Sequence, residues 1–270
     1  MLLYCVRFPI LSVYLTREDY NSRMDTETAA KLIALNRQFY QTFSAPFSST
    51  RSRLQPGVIK ILDAIPQRAA ILDIGCGNGN LAAELVRRGW RGTYLGLDSS
   101  PQLLGFARQA CAGAKNIDFL LSDLSEPDWD QSIITHAPSQ HAPHFDLILA
   151  FAVLHHLPGE VIRLNLLHKV RDMLSPKGQF IHSEWQFMNN PRMRARIQPC
   201  ETAGLSPASL DLNDYLLDWR QGGYGLRYVH HFSTEELEDL AAFAGFQVLE
   251  TFISDGEGGN LSLYQVWSPV

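Results

Sequence analysis

Apolar positions along this chain fall into two patterns, short uninterrupted runs and residues spaced three or four apart. Uninterrupted runs bounded by glycine or polar residues predict buried strands, and the wider spacing predicts amphipathic helices. Seven segments predict strands, at residues 69–72, 93–98, 119–124, 145–150, 179–185, 246–253 and 261–267. The first five alternate with helical patterns, which is typical of a parallel sheet, and the last two are joined by a glycine-rich link that predicts an antiparallel hairpin.

Capping residues and glycines predict where the helices begin and end. Two helices are expected at about 25–44 and 56–65, ahead of the first strand. A helix capped by Ser100 is expected to bury Leu103, Leu104, Ala107 and Ala110. The helix after Pro158 is expected to bury Val161, Leu166, Leu167, Val170 and Leu174, ending at residues 175–178. A capping box from Ser233 to Glu236 opens a last helix, which Gly245 closes. The predicted fold is α/β, with a mostly parallel seven-stranded sheet, helices on both faces and an antiparallel C-terminal hairpin.

Composition narrows the class of protein. The chain is 46% hydrophobic, which suits a globular protein with a full core. Its four cysteines show no Cys-x-x-Cys spacing, which is typical of reduced thiols, and we expect a cytoplasmic location. The net charge of −5 argues against strong, unaided binding to nucleic acid, although it leaves room for a local basic patch.

The sequence predicts a single domain at 24–270. Three segments are predicted not to belong to its minimal core, one of them ahead of the domain and two within it. Residues 1–23 are apolar but interrupted by Arg7 and Pro9, so we expect a non-core extension that neither spans a membrane nor acts as a signal peptide. Residues 128–144 predict an irregular surface loop, and no metal site is expected there. That loop carries three histidines, His136, His141 and His144. Residues 186–231, rich in arginine and aromatic residues, predict an inserted substrate lid over the carboxyl ends of the strands.

The sequence from Asp73 to Gly79 links the first predicted strand to a helix through three glycines, Gly75, Gly77 and Gly79. Glycine lets the backbone turn sharply and approach a ligand closely. The dinucleotide fingerprint requires glycine or alanine where Asn80 stands, so that pattern fails. The carboxylate of Asp73 is unfavourable beside a pyrophosphate and favourable beside a cationic ligand. Asp98 ends the second strand, where a carboxylate can accept two ribose hydroxyls.

These motifs resemble those of the class I S-adenosylmethionine-dependent methyltransferases, which have a Rossmann-like seven-stranded sheet. The resemblance implies S-adenosylmethionine as cofactor. Its binding residues would be the glycine turn with Asp73, then Asp98 with Ser99, and Asp123 with Leu124 beside the adenine.

The flanking segments, residues 36–51, 227–232 and 244–246, resemble the tRNA wobble-uridine carboxymethyl methyltransferases. That resemblance implies a carboxylate acceptor on tRNA, which needs no general base, and, for eukaryotic members, a small zinc-binding activator protein. Tyr40, Trp185, Arg227 and Tyr228 are the candidate substrate-binding residues.

Candidate catalytic residues are His155, His156 and Arg51. Either histidine, in the turn after the fourth strand, could accept a proton from a hydroxyl or amine acceptor, and Arg51 could position an anionic one. Three functions are left open by the sequence. The first is a methyltransferase acting on tRNA, the second a small-molecule O- or N-methyltransferase, and the third a non-catalytic cofactor-binding subunit.

Overall fold

The computed structural model describes residues 24–50, 53–136 and 144–270. Its strands are β1 (Ala70–Ile74), β2 (Thr93–Asp98), β3 (Ile117–Leu121), β4 (Phe145–Phe151), β5 (Leu174–Trp185), β6 (Ile197–Gln198), β7 (Asp214–Trp219), β8 (Gly225–His230), β9 (Phe246–Ser254) and β10 (Ser262–Pro269). Its helices are α1 (Thr26–Thr50), α2 (Pro56–Ala64), α3 (Asn80–Arg87), α4 (Pro101–Ala110), α5 (Gln131–His136), α6 (Glu160–Met173), α7 (Pro191–Arg194) and α8 (Thr234–Phe243).

Seven strands form one sheet in the order β3-β2-β1-β4-β5-β10-β9. The first five are parallel to one another, while β10 runs antiparallel to both β5 and β9. The predicted α/β fold with a C-terminal hairpin is therefore confirmed. Because the strand order reverses between β1 and β4, a crevice is expected where the carboxyl ends of these strands diverge.

The two largest clusters of buried residues lie one on each face of this sheet. On one face β4 and β5 pack against α6 and α8, around residues such as Phe180, Leu167 and Trp267. On the other face β1 packs against α2, α3 and α4, around residues such as Ile71 and Leu85. Burying apolar surface on both faces of a parallel sheet is the main stabilisation of such folds.

Several boundaries and burial predictions were wrong. Strand β3 ends at Leu121 rather than residue 124, because the Ser122 hydroxyl donates to the carbonyl of Trp129 at 2.7 Å and the chain turns there. Strand β5 begins at Leu174, inside the predicted end of the preceding helix. Ala110 and Val161 are exposed, the latter at 43%, because Ala110 is the last residue of α4 and Val161 lies on the face of α6 opposite its buried residues.

Helix α1 extends six residues beyond its predicted end at Ser44. It bends at Phe43, whose φ of −109° and ψ of 18° are not helical, three residues before Pro46. Proline lacks the N–H that a helix interior requires and commonly produces such a bend. The bend directs the end of α1 towards the carboxyl edge of the sheet.

The predicted surface loop at 128–144 is partly helical, because α5 occupies residues 131–136. The His136 ring lies 2.9 Å from Asp118, and His141 falls outside the described residues, as does the predicted extension 1–23. Within the described ranges there is no cluster of three or more histidine, cysteine or acidic side chains arranged to hold a metal. The same ranges contain no helix of the length and apolarity needed to cross a membrane.

The segment 186–231 contains a second, three-stranded antiparallel sheet in the order β6-β7-β8. Helix α1 packs on it through Leu32, which shares a buried cluster with Leu216 and Tyr228. The side chain of Asn36 reinforces the contact, since its amide donates to the Tyr228 carbonyl at 3.2 Å and accepts from the Tyr228 N–H at 2.7 Å. We call this sheet together with its loops the lid segment, 186–231.

A buried polar network attaches the lid segment to the main domain. The Tyr228 hydroxyl donates to Asp214 at 2.7 Å and accepts from Arg163 of α6 at 3.0 Å. His230 bridges Asp214 and Glu236 of α8, at 2.7 Å on each side. Buried polar groups in one network are costly to break because each lost partner leaves another unsatisfied.

We expect Tyr228→Phe to lower the free energy of unfolding by about 1–3 kcal/mol, because Asp214 and Arg163 each lose a buried partner. Denaturant unfolding measures the change. Tyr224→Phe is the matched control, because Tyr224 lies in the same lid segment with 63% of its surface exposed and should change stability by less than about 0.5 kcal/mol. Wild-type stability together with a loss of turnover in Tyr228→Phe would contradict the structural role.

Candidate active site

A cavity of about 300 Å³ opens at the carboxyl ends of the parallel strands, under α1. Gly75, Gly77, Asp98 and Asp123 line one end, which we call the glycine end. At the other, the hairpin end, the lining residues come from β5 and the β9–β10 hairpin: Ser183, Trp185, Asp255, Ser262 and Tyr264. The cavity therefore brings together the predicted glycine motif and residues that are distant in sequence.

The glycines of the turn after β1 have two roles: some line the cavity, and one allows two helices to pack closely. Gly77 has φ of +57°, and a Cβ built there would meet no atom within 4 Å, so it would project into open space on the cavity wall. Gly79 also has positive φ, but a Cβ there would lie 2.8 Å from the backbone of Ala107. Gly79 therefore allows α3 and α4 to pack, and it lies behind the lining residues rather than among them.

Asp73 lies at the glycine end, 4% exposed, and its carboxylate accepts a 2.6 Å hydrogen bond from the Tyr94 hydroxyl. Burial raises the pKa of Asp73 to about 7, and the nearby Asp98 carboxylate adds to the rise against the Tyr94 hydrogen bond. The site therefore holds a carboxyl group whose charge is poorly compensated. A cation entering this end would favour its ionised form.

Asp98 is the last residue of β2 and faces the glycine turn. Its carboxylate accepts from the backbone N–H of Gly77 at 2.9 Å and from that of Ser100 at 2.8 Å. Burial raises the pKa of Asp98 to about 6, although these backbone donors lower it. Ser99 lies next to it on the cavity wall. This arrangement presents fixed acceptors to hydroxyl groups in the cavity.

Asp123 and Leu124 line the glycine end beyond Asp98, two and three residues after β3. Asp123 accepts from the Ser125 hydroxyl at 2.6 Å and from the Arg37 guanidinium, also at 2.6 Å. Burial acts to raise its pKa, but Ser125 and Arg37 together hold the pKa of Asp123 below its ordinary value.

Arg37 was not predicted to belong to the site. It projects from α1, lines the cavity, and also lies 3.1 Å from Glu126. Its ion pairs tie α1 to the loop after β3 and cover the glycine end. A lone arginine on a helix gives no sequence signal for such a contact, because both carboxylates lie more than 80 residues away.

At the hairpin end, Asp255 and Tyr264 form a pair that sequence reasoning missed. The Tyr264 hydroxyl donates to Asp255 at 2.6 Å, and the N–H of Gly57 donates to the other oxygen of the same carboxylate at 2.8 Å. Asp255 therefore caps the N-terminus of α2, whose Gln55 provides no side-chain cap. Asp255 has a φ of +74°, in the left-handed region that few non-glycine residues adopt.

Tyr40 and His156 form a second pair on the cavity wall. The Nδ1 atom of His156 lies 3.1 Å from the carbonyl oxygen of Tyr228, which can only accept, so Nδ1 carries the proton. The Nε2 atom of His156 then accepts from the Tyr40 hydroxyl at 2.8 Å. Both ring nitrogens of this candidate catalytic residue are thus engaged within the protein.

His155, the other candidate histidine, lies behind the cavity wall with none of its surface exposed. Its Nδ1 lies 2.6 Å from Glu184, which also accepts from the His155 backbone N–H and contacts His182 at 3.1 Å. Burial raises the pKa of Glu184 well above its ordinary value and lowers that of His182 to about 3. The His155 ring stacks on Trp185, which does line the cavity, so His155 supports that indole rather than facing a ligand.

The remaining predicted residues are placed differently from expectation. Arg227 is buried, with its guanidinium 4.4 Å from the ring centre of Trp185 and 5.2 Å from that of Phe39. Arg227 and Tyr228 both lie behind the cavity wall, not on it as a substrate-binding role would require. Tyr228 belongs instead to the polar network of the lid segment. Arg51 falls outside the described residues.

Arg53, two residues after Arg51, lines the cavity and is exposed. It precedes α2 by three residues, and the N-terminus of α2 is fixed by Asp255 at the hairpin end. Of the described lining residues only Arg37 and Arg53 are permanently cationic, and Arg37 is held by Asp123 and Glu126. No ion pair of Arg53 occurs within the described part of the chain.

Known proteins resemble this chain in sequence and in fold. The family described as "Methyltransferase domain" matches residues 47–251. A protein of Encephalitozoon cuniculi named as a methyltransferase is 30% identical over 215 residues, which cover 79% of this chain and 87% of that protein. A Schizosaccharomyces pombe protein named tRNA (carboxymethyluridine(34)-5-O)-methyltransferase is 25% identical, covering 79% of this chain and 89% of its own length. The Burkholderia thailandensis 1,6-didemethyltoxoflavin-N1-methyltransferase shares the fold, with a TM-score of 0.58 and 19% identity over 90% of this chain and 89% of that structure.

The chain belongs to the methyltransferase-domain family, and it is an S-adenosylmethionine-dependent methyltransferase. The glycine end fits this cofactor. The open space at Gly77 accommodates a ligand that a side chain would exclude, Asp98 offers acceptors suited to ribose hydroxyls, and Asp73 offers a buried acid suited to an ammonium group.

We expect cofactor affinity to rise between pH 5 and pH 8, because the pKa values of Asp98 and Asp73 are raised to about 6 and about 7 and a cationic ligand favours the ionised carboxylates. Below pH 6 both groups are largely protonated, and above pH 7 both are largely ionised. Binding near pH 6.5 should therefore release protons. Calorimetric titration in two buffers of different ionisation enthalpy measures that release.

Asp73→Asn supplies the control for this pH dependence. The step near pH 7 should disappear in the variant while the step near pH 6 remains. In the free protein the raised pKa means that stability falls as pH rises from the unfolded value of about 4 towards 7. Asp73→Asn should therefore unfold at a higher temperature than wild type at pH 8. A cofactor affinity that is constant from pH 5 to pH 8 would contradict the assignment.

Proposed function

We propose that this enzyme methylates a carboxylate carried by the wobble uridine of tRNA. The observation that carries the proposal is Arg53, an exposed guanidinium on the cavity wall with no ion pair in the described chain. A guanidinium can hold a carboxylate through two parallel hydrogen bonds. The flanking-segment resemblance and the activity named for the Schizosaccharomyces pombe relative support the same acceptor.

The glycine end binds the cofactor. Asp98 accepts the ribose hydroxyls with Ser99 beside it, and Asp73 pairs with the ammonium group of the methionine moiety. Asp123 and Leu124 would hold the adenine, and Arg37, which pairs with Asp123, lies at the same end of the cavity. Arg53 and Tyr264, which line the cavity away from these residues, would then be left to the methyl acceptor.

A carboxylate acceptor fits a site in which the groups that could act as a general base are already hydrogen-bonded within the protein. His156 has one ring nitrogen on the Tyr228 carbonyl and the other on Tyr40, while both oxygens of Asp255 are occupied. A hydroxyl or amine acceptor would need one of these groups to take a proton. A carboxyl group with a pKa near 4 is already ionised at neutral pH and needs no base.

When bound, S-adenosylmethionine supplies a methyl group activated by its positively charged sulfur. The residues of the hairpin end then have to hold the acceptor in line with that methyl group. Arg53 fixes the carboxylate, Tyr40 and Trp185 confine the base, and α1 with the lid segment excludes water. Alignment of two reactants in this way contributes up to roughly 7–11 kcal/mol to lowering the barrier.

The proposal is tested by methyl transfer to tRNA whose existing esters have first been removed. Total tRNA is treated with mild alkali, which exposes free carboxylates, and is then incubated with the enzyme and radiolabelled S-adenosylmethionine. The assay is run with and without a protein extract, which supplies the small activator protein that the resemblance implies. Label in tRNA that a second mild alkali treatment releases would support the proposal. Label confined to the small-molecule fraction, or stable to alkali, would contradict it.

We expect Arg53→Gln to lower kcat/KM for the tRNA carboxylate about 30- to 150-fold, because a charged hydrogen bond of about 2–3 kcal/mol is lost. Cofactor affinity should not change. Arg91→Gln is the matched control, since Arg91 is an exposed arginine that precedes β2 at the opposite edge of the sheet. Wild-type turnover in Arg53→Gln would remove Arg53 from the acceptor site.

A further inference from the structure

A short stretch of the lid segment carries three arginines and no acid. Arg192, Arg194 and Arg196 fall between Glu184 and Glu201, and no other acidic residue occurs in that interval. All three side chains are exposed. In a protein of net charge −5, this stretch is a local concentration of positive charge.

The fold presents these arginines outwards. Between and after them, Met193 and Ile197 are partly buried in a cluster with Trp185 and Ala152, which form the cavity wall. The intervening arginines therefore lie on the outer side of the same wall. We call Arg192, Arg194 and Arg196 the arginine strip.

The backbone of the arginine strip is fixed by groups other than its guanidinium groups. Asn190 caps α7 by accepting from the N–H of Arg192 at 2.9 Å, and the Arg196 carbonyl accepts from the N–H of Asp218 at 2.9 Å. The amide of Asn189 donates to the Asn260 carbonyl at 3.0 Å, in the hairpin turn that leads to Ser262. The strip is thereby held next to the hairpin end of the cavity.

The three guanidinium groups differ from those arginines of the described chain that are paired with acids. Arg37, Arg87, Arg88, Arg171 and Arg220 each form an ion pair with a carboxylate. Over the described ranges, by contrast, the strip has neither an ion pair nor a side-chain hydrogen bond. Three unpaired like charges so close together repel one another, and an anionic partner relieves that repulsion.

We propose that the arginine strip binds phosphate groups of the RNA acceptor and so holds the target base over the hairpin end. This inference rests on the proposed tRNA carboxylate activity. A substrate that presents a regular series of phosphates matches a row of unpaired arginines, whereas a single small anion would need only one. A local contact of this kind allows a protein with a net negative charge to bind RNA, because only the charge of the contact surface has to be positive.

The test replaces the strip with glutamine, as Arg192→Gln, Arg194→Gln and Arg196→Gln together. The matched control removes three exposed cations that form no ion pair within the described ranges and lie at the opposite edge of the sheet, as Arg68→Gln, Arg91→Gln and Lys115→Gln. Affinity for fluorescently labelled, alkali-treated tRNA is measured between 50 and 200 mM salt. Each phosphate contact contributes roughly 0.7–0.9 to the slope of log K against log salt.

We expect the strip variant to lose about two units of that slope and at least about tenfold in affinity for tRNA at 100 mM salt, with the control unchanged. Its turnover of the free nucleoside 5-carboxymethyluridine should equal that of wild type, because the nucleoside has no phosphates. A strip variant with the affinity and salt slope of the control would overturn the inference, even where wild type methylates tRNA. Failure of wild type on both tRNA and the nucleoside would instead overturn the proposed function on which the inference rests.

Discussion

The structure depends on two carboxylates held together at the carboxyl edge of a parallel sheet. Asp73 is the second-last residue of β1 and Asp98 the last of β2, and the register of β1 on β2 brings them to the same end of the cavity. Their hydrogen-bond donors are neutral, a tyrosine hydroxyl and backbone N–H groups, and within the described chain neither forms an ion pair. Burial raises both pKa values as a result. Ionising these two carboxyl groups therefore costs free energy that a cationic ligand offsets, which links the fold to the choice of S-adenosylmethionine.

At the hairpin end of the cavity, polar side chains are paired with one another. Its polar groups are satisfied within the protein, through Asp255 with Tyr264 and through Tyr40 with His156. Behind them, the buried groups around Glu184 and the network around Tyr228 hold β5 and the lid segment in place. Such an end is rigid and poor in available bases. It suits an acceptor that arrives already ionised, and it leaves the selection of that acceptor to Arg53 and to surfaces outside the cavity.

Much of the fold and of the glycine end could be predicted from the sequence, because the patterns that indicate them are local. The strand at 93–98 matches its prediction at both ends, and the Ser100 and Ser233 caps form the hydrogen bonds that their spacing predicts. Local pattern also places Asp73, Asp98 and the glycine turn, because strand ends of a parallel sheet share one edge. The glycine end can thus largely be predicted from one strand–turn–helix motif and the strand that follows it.

The hairpin end was harder to predict because it is assembled from segments far apart in sequence. Asp255 contacts Gly57, 198 residues away, and no periodic pattern predicts the pairing. The same is true of Arg37 and Asp123 at the glycine end. Resemblance selected Arg227 and Tyr228 because they stand in a distinctive stretch. The alternation of side chains along β8 instead directs them into packing with α1 and α6. A resemblance can therefore mark a segment without showing which of its side chains face the ligand.

The most direct test of the account is a crystal structure with S-adenosylhomocysteine, the product left after methyl transfer. We expect both ribose hydroxyls to lie within hydrogen-bond distance of the Asp98 carboxylate, with the amino group near Asp73. We expect the sulfur to point towards Arg53 and Tyr264 at the hairpin end. Ribose hydroxyls bound away from Asp98, or a sulfur directed away from the hairpin end, would contradict the division of the cavity into cofactor and acceptor ends.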